Sequence, residues 1–291
     1  MKFTKMHGLG NDYVYIDGIS GNAVEQPSQL AIQMSDRHFG IGGDGIVLIL
    51  PSSTADARMR MFNTDGSESE MCGNAIRCVG KYLYDHHLLQ KETLTIETLA
   101  GIKHLTLNIH NHLVKTVRVD MGEPILDSCQ IPVLSDSSPV IRKPVEVNGH
   151  RYEFTAVSMG NPHCVIFVPE ITDAMIFEDG PKLETHPFFP KKTNVEFVKV
   201  ISGEALQMRV WERGSGQTLA CGTGSCATLV AAVLNGFVES SATIRLLGGE
   251  LQIEWDRSSN HVYMTGPAIE VFEGEWLAKE LKYLIDSTER G

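Results

Sequence analysis

The chain is written twice. Met59-Arg60-Met61-Phe62 returns as Met208-Arg209-Val210-Trp211, and Cys72-Gly73 as Cys221-Gly222, both at an offset of 149. Gly66-Ser67, Cys78, Thr95-Ile96 and Gly101 return at an offset of 148 as Gly214-Ser215, Cys226, Thr243-Ile244 and Gly249. Upstream, Gly10-Asn11 is echoed by Gly160-Asn161 at an offset of 150. A drift of one residue is what small loop insertions leave. Periods of roughly 20–50 residues would mean a stack of small repeats. A period near half the chain means two homologous domains. The polar stretch 122–144, with its Pro and Ser residues, is the predicted boundary. It gives domains 1–122 and 123–267, with 268–291 free to pack back on the first.

Each half reads alike. Short β-rich runs (13–17, 45–50, 58–62) precede one strong helix, and more strands follow it (93–97, 242–247). In the first half Ala75, Ile76, Val79, Tyr82 and Leu83 fall at helical spacing. In the second, residues 227–234 are apolar on nearly every face, which predicts a buried helix, and Asn235-Gly236 supplies its stop. The predicted fold is α+β: two pseudo-symmetric domains, each a mostly antiparallel sheet or barrel around a central helix, with the active site in the interdomain cleft.

With 291 residues and 42% hydrophobic content, the chain can bury such cores. A net charge of −11 argues against nucleic acid and anionic membranes as partners, since both want a basic patch. No signal-like or bilayer-spanning apolar run occurs, so a cytoplasmic location is expected. The six cysteines include no Cys-x-x-Cys pair and are expected as free thiols, without a metal.

Chemistry concentrates at the two Cys-Gly steps. A cysteine just before a helix meets unpaired backbone N–H groups and the positive end of the helix dipole. That setting is expected to lower the thiol pKa from about 8.5 towards neutral. The same N–H groups can hold a carboxylate, and the glycine lets a ligand approach the backbone. Duplication would then present Cys72 and Cys221 to one carbon from opposite sides, as acid and base. Such a pair can invert an α-carbon without a cofactor. The other four cysteines, Cys78, Cys129, Cys164 and Cys226, are expected to be small buried hydrophobes.

At these residues the sequence resembles the diaminopimelate epimerases over essentially its whole length. The matching segments are Lys5 to Asp12 (KMHGLGND), Asp36 to Asp44 (DRHFGIGGD) and Phe62 to Ser67 (FNTDGS), then Met71 to Arg77 (MCGNAIR). In the second half they are Gly160 to His163 (GNPH), Thr193 to Phe197 (TNVEF), Trp211 to Gly214 (WERG) and Ala220 to Gly224 (ACGTG). The resemblance implies interconversion of LL- and meso-diaminopimelate without pyridoxal phosphate or metal, in lysine and peptidoglycan precursor synthesis. It implies that Cys72 and Cys221 are the acid/base thiols and that Gly73, Asn74, Gly222 and Thr223 cradle the reacting carboxylate. Asn11, Asn63, Asn161, Asn194, Glu212 and Arg213 would hold the substrate, chiefly its distal end. His163 and Glu212 would help set the protonation of the thiols. Independently, Arg213 suits a bidentate carboxylate fork and Glu212 an ammonium.

Two departures stand out. Gly45 occupies a place where many members carry Gln. The chain also runs on from Gly274 to Gly291, where Trp276, Leu277, Leu281, Leu284 and Ile285 predict an amphipathic helix over 275–286. It would pack on its own domain or at a homodimer interface. Three rival readings remain open: a proline or hydroxyproline racemase-type enzyme, a thiol-free isomerase of the phenazine-biosynthesis type, and a non-catalytic amino-acid-binding module. Asn74 and Glu212-Arg213-Gly214 argue against the first, and two intact thiols against the second.

Overall fold

The computed structural model describes residues 1–21 and 24–277. They divide into two compact units, one formed by residues 1–103 with 268 onward, the other by residues 104–267. In chain order the elements are β1 (Lys2–Gly8), β2 (Asn11–Asp17), α1 (Pro27–Ser35), β3 (Gly45–Leu50), β4 (Ala57–Asn63), β5 (Glu68–Ser69) and α2 (Gly73–Asp85). Then come β6 (Thr93–Thr98), β7 (Gly101–His110), β8 (Leu113–Gly122), β9 (Lys143–Val147), β10 (His150–Ser158) and β11 (Pro162–Phe167). A π-turn (Met175–Asp179) leads into α3 (Gly180–Glu184), followed by β12 (Asn194–Ser202), β13 (Ala205–Glu212), β14 (Gly216–Gln217) and α4 (Gly222–Leu234). The last strands are β15 (Ser241–Leu246), β16 (Gly249–Trp255), β17 (Val262–Pro267) and β18 (Ile269–Glu275).

The first unit pairs β2 antiparallel to β1 and parallel to β3, then β3 antiparallel to β4. β4 runs antiparallel to β5 and parallel to β6, and β1 is flanked by β18. The second unit repeats that order. β11 is antiparallel to β10 and parallel to β12, β12 is antiparallel to β13, and β13 is antiparallel to β14 and parallel to β15. Register repeats as well. Val14 faces Ile46 as Cys164 faces Val195, and Ile46 faces Phe62 as Val195 faces Trp211. Ala57 faces Ile96 as Leu206 faces Ile244. These are the 150-, 149- and 148-residue offsets of the sequence, now expressed as hydrogen-bonded pairs. Among the described residues, these pairings in each unit are antiparallel except at two equivalent places, β2–β3 and β4–β6 in the first and β11–β12 and β13–β15 in the second.

The helices form for local reasons. α4 opens on small residues (Gly222, Gly224, Ser225), which let it start in a crowded place, and then turns apolar from Ala227 to Leu234. Strands β10 to β13 and β15 to β17 all contact it, so the sheet of the second unit wraps this helix. Its end is a Schellman closure: Gly236 has φ 76° and the Phe237 N–H reaches the Ala232 carbonyl at 2.9 Å. α2 buries Ala75, Ile76, Cys78, Val79, Tyr82 and Leu83, the predicted stripe, and packs on β1 and β2. Cores of Phe3, Val14, Ile16, Met34, Ile46 and Phe62 in the first unit, and of Phe154, Ile166, Phe189 and Phe197 in the second, hold the frames rigid. Each such side chain contributes about 1.5–3 kcal/mol on burial.

Two expectations need correction or limits, and one helix has no counterpart among them. Cys129 is exposed, unlike the buried Cys78, Cys164 and Cys226, because it sits in a turn whose backbone N–H is tied to Asp127. α1 was not anticipated; its apolar positions are too few to stand out. The C-terminal extension begins as strand, since Gly274 and Glu275 belong to β18 and Trp276 packs on the first core without helix. The rest of the predicted helix, with Leu281, Leu284 and Ile285, lies outside the described residues.

Candidate active site

In the first unit, the tight β1–β2 turn delivers Asn11 to the start of α2. Leu9 and Gly10 take the positive φ values of 57° and 85° that this turn requires. Gly8 is obligatory there: a Cβ would meet the Arg77 Nη2 at 2.9 Å and the Asn74 carbonyl at 3.0 Å. Cys72 is the N-cap of α2, in extended conformation (φ −133°, ψ 122°). Its thiol donates to Asn11 Oδ1 at 3.3 Å, and Asn74 Nδ2 donates to the same oxygen at 3.4 Å. Asn11 cannot turn its amide over freely, because its Nδ2 donates to Asp44 Oδ2 at 2.7 Å. Asp44 is held by Arg37 (3.0 Å), which also pairs with Asp12 (2.8 Å), itself bridged to Lys5 at 2.6 Å. Behind Asn74, the fully buried Arg77 donates to Asn74 Oδ1 and to the Gly73 carbonyl. The loop that follows α1 therefore clamps the amide that faces the thiol.

In the second unit, Cys221 N-caps α4 in the equivalent conformation (φ −120°, ψ 111°), and its sulfur accepts from the Gly224 N–H at 3.4 Å. Thr223 Oγ1 lies 3.6 Å from it. The surroundings differ from those of Cys72, however. Burial pushes the Cys221 thiol well up, Glu212 and Glu196 push it further, and the contacts from Thr223 and Gly224 only partly oppose them. The expected lowering towards neutral is not met here, because half a positive charge at a helix start is outweighed by desolvation and two carboxylates. Glu212 is itself raised, chiefly by burial, and accepts a short hydrogen bond from Thr218. His163, fully buried, is bonded through Nδ1 to Glu196 Oε1 at 2.7 Å and faces Asn161 Oδ1 through Nε2 at 3.0 Å.

Within the first unit the structure thus gathers Asn11, Cys72, Gly73 and Asn74. Within the second it gathers Asn161, His163, Glu212, Cys221, Gly222 and Thr223. Asn63 ends β4 and donates through Nδ2 to Ser67 Oγ at 3.0 Å, in the turn that leads to β5. Asn194 is buried with its amide already used: Oδ1 accepts from the Arg213 N–H at 2.9 Å and Nδ2 donates to the Pro162 carbonyl at 2.9 Å. Its geometry suits holding the Glu212-Arg213 turn. Arg213 is exposed and bonds the Lys191 carbonyl at 3.2 Å. Gly45 has a local cause, since a Cβ there would fall 2.0 Å from the Phe62 carbonyl oxygen.

Sequence reasoning passed over Asp44, Glu184 and Glu196. The signal for Glu196 was present: a lone carboxylate between Val195 and Phe197 in an apolar run is a buried acid that needs a partner. Among the described residues one group, His86, Glu270 and Glu273, has spacing that could hold a metal; there each carboxylate meets a different ring nitrogen, at 3.0 and 3.7 Å.

The family described as diaminopimelate epimerase matches residues 3–126 and 155–271, most of both units. The chain belongs to the diaminopimelate epimerase family. It is 59% identical over 275 residues to the diaminopimelate epimerase of Methanococcus maripaludis strain C6, covering 94% of this chain and 99% of that one. It is 58% identical over 281 residues to that of Acetivibrio thermocellus, covering 97% and 100%. Among solved structures, the fold matches a Bacillus anthracis phenazine biosynthesis protein of the PhzF family (TM-score 0.67, 17% identity, 95% of this chain and 99% of that one). It also matches a hydroxyproline epimerase from Agrobacterium vitis (TM-score 0.65, 16% identity, 94% and 90%). At those identities the likeness is one of fold, the sheet-rich α+β fold that this family shares with the other two. No described helix is long and apolar enough to cross a membrane.

Proposed function

We propose that the chain is an isomerase that interconverts LL- and meso-diaminopimelate, with Cys72 and Cys221 as its two acid/base groups. The reaction class and the link to lysine biosynthesis follow from family membership. The observation that supports the thiol assignment is that each caps the equivalent helix of a duplicated fold, with glycine as the first helical residue. One thiol takes the α-proton as thiolate while the other returns a proton to the opposite face. The C–H bond breaks towards one sulfur, an S–H bond forms there, and the second S–H supplies the proton that rebuilds the carbon. No electron changes hands and no cofactor is called for. The N–H groups of Gly73 and Asn74, and of Gly222 and Thr223, would hold the reacting carboxylate, where the helix dipoles stabilise the charge that develops as the proton leaves.

Asn74 and Asn11 present amide groups around Cys72, suited to a zwitterion because they hydrogen-bond without adding charge. Glu212 and Arg213 offer one acid and one base to the distal ammonium and carboxylate, as a substrate with a second amino-acid end requires. Asn63, Asn161 and Asn194 complete the binding set, and His163 tunes the second thiol. A cytoplasmic enzyme working as a homodimer is in keeping with this reading.

The test is α-proton exchange in deuterated water with LL-diaminopimelate and L-proline side by side. Exchange with diaminopimelate alone is expected, and exchange with proline alone would overturn the substrate. Cys72→Ala and Cys221→Ala should each abolish epimerisation. Activity persisting in both would end the two-thiol mechanism.

A further inference from the structure

Glu196 has no part in the reaction just described, yet its placement is unusual. It lies on β12 with no exposure at all, in register beside Val165 of β11 and opposite Val210 of β13. One carboxylate oxygen, Oε1, bonds His163 Nδ1 at 2.7 Å, and the other, Oε2, has no hydrogen-bond partner. A buried carboxylate with an orphaned oxygen is costly, because burial strips its water without replacing the bonds. The helix start has been shaped to admit it. A Cβ on Gly224 would fall 2.8 Å from Glu196 Oε1 and 3.1 Å from Cys221 Sγ, so carboxylate and sulfur both lie within 3.1 Å of one point. Any side chain at Gly224 would displace one or the other.

We propose that Glu196 is a positioning residue for Cys221: it fixes His163 with Nδ1–H towards itself and sets a buried negative charge behind the sulfur, which keeps Cys221 a thiol in the resting enzyme. The inference rests on Cys221 being one of the two acid/base groups. The ionisable groups within electrostatic reach of one another here are Cys164 and His163 on β11, Glu196 on β12, Glu212 at the end of β13 and Cys221 at the start of α4. Two of the five are carboxylates that act on the thiol from different strands, and one imidazole stands against them. Such a cluster favours the state in which the sulfur carries the proton. That state suits a group that must deliver a proton before it can accept one. Burial raises Cys164 and Glu212, and the charge on Glu196 adds to both.

Glu196→Gln separates charge from shape, since the amide oxygen can still accept from His163 Nδ1. A unit charge about 6 Å away at an effective dielectric of about 20 moves an ionisation by roughly two pH units. The experiment follows iodoacetamide alkylation of each cysteine against pH by peptide mapping, without substrate. The midpoint for Cys221 is expected to drop by about one to two pH units in the variant while that of Cys72 stays in place. A Cys221 midpoint unchanged in a folded variant would overturn the proposal. Because no turnover is measured, this outcome is independent of whether diaminopimelate is the substrate. Should the variant fail to fold, ¹⁵N NMR of His163 in the unmodified enzyme decides. Nδ1 protonated with Nε2 bare is expected, and either a bare Nδ1 or an imidazolium protonated at both nitrogens, which would cancel the Glu196 charge, would refute the proposal.

Discussion

Glu184 offers a prediction whose size can be worked from the contacts. It ends α3 and uses both carboxylate oxygens as acceptors. Oε2 takes the Trp211 indole N–H at 2.8 Å and Oε1 takes the Gly214 backbone N–H at 3.2 Å. These two bonds bracket the Glu212-Arg213 turn. Glutamine has the same shape but only one accepting oxygen, so in Glu184→Gln one N–H must face an NH₂ group. The variant loses one bond to a charged group, about 1.5–3 kcal/mol, although the exposed Gly214 N–H can recover part of that from water. A net loss of about 2 kcal/mol is expected. With a urea m-value near 3 kcal/mol/M for a chain of this size, the unfolding midpoint should fall by about 0.7 M at unchanged slope. Because the turn carries Glu212 and Arg213, kcat/KM for diaminopimelate should fall about tenfold as well. A midpoint within 0.2 M of the unmodified protein (about 0.6 kcal/mol at that slope) would show that the two bonds do not act as described. Lowered stability with full activity would show that the turn is not held by them.

Two other expectations follow from buried carboxylates. Burial raises Glu212, so epimerase activity should be lost as pH falls through a value above the ordinary glutamate range of about 4.3. In Glu212→Gln that acid limb should vanish from the pH–rate profile and kcat/KM should drop about 10–100-fold, the worth of one hydrogen bond to a charged group, about 1.5–3 kcal/mol. Asp179 runs the other way: burial opposes its ionisation, but bonds from Tyr152, His150 and Asn148 outweigh that and hold it below its ordinary value. Its stabilisation is therefore complete above the unfolded pKa of about 3.9 and lost as pH falls through the lower folded one. Asp179→Asn should be less stable at neutral pH and should show a shallower decline between about pH 4 and 2 in acid denaturation.

The fold was legible because it rests on periodicity. The duplicated Cys-Gly steps, the apolar run after Cys221 and the β-rich runs around 45–50 and 58–62 are local patterns, and the strands and helices formed where those patterns lie. α1 was missed for the converse reason: Pro27 to Ser35 carries a weak apolar stripe, and tertiary packing on β3 and β4 decides its place. Parallel pairing of β2 with β3, and of β11 with β12, left no mark in the sequence, since alternation looks the same for either direction. At the site, residues that act through another side chain were the hard ones. Asp44 touches Asn11 rather than a thiol, and Glu196 touches His163; their roles are set by distances across strands, which no spacing along the chain records.

Those distances also show how two copies of one design came to differ. Asn63 and Glu212 are equivalents at the offset of 149 that relates the two thiols, and Asn11 and Asn161 are equivalents at an offset of 150. In the first copy the thiol meets amides: Asn11 Oδ1 accepts its proton, Asn74 shares that oxygen, and the acid Asp44 stands one residue back, behind Asn11. In the second copy the acids have moved forward: burial raises the Cys221 thiol, and Glu212 and Glu196 both act on the sulfur to raise it further. A duplicated fold would by itself give two thiols of equal acidity, which suits neither delivering nor removing a proton at a given moment. Glu212 stands where the first copy has Asn63, so a carboxylate replaces a neutral amide at one of two equivalent positions while strand register and helix start stay alike. On the proposed two-thiol mechanism the reaction runs in both directions, so a difference between the thiols must stay too small to trap the proton on one sulfur. The compensating contacts at Cys221, from the Gly224 N–H and the Thr223 hydroxyl, act in the direction that limits it.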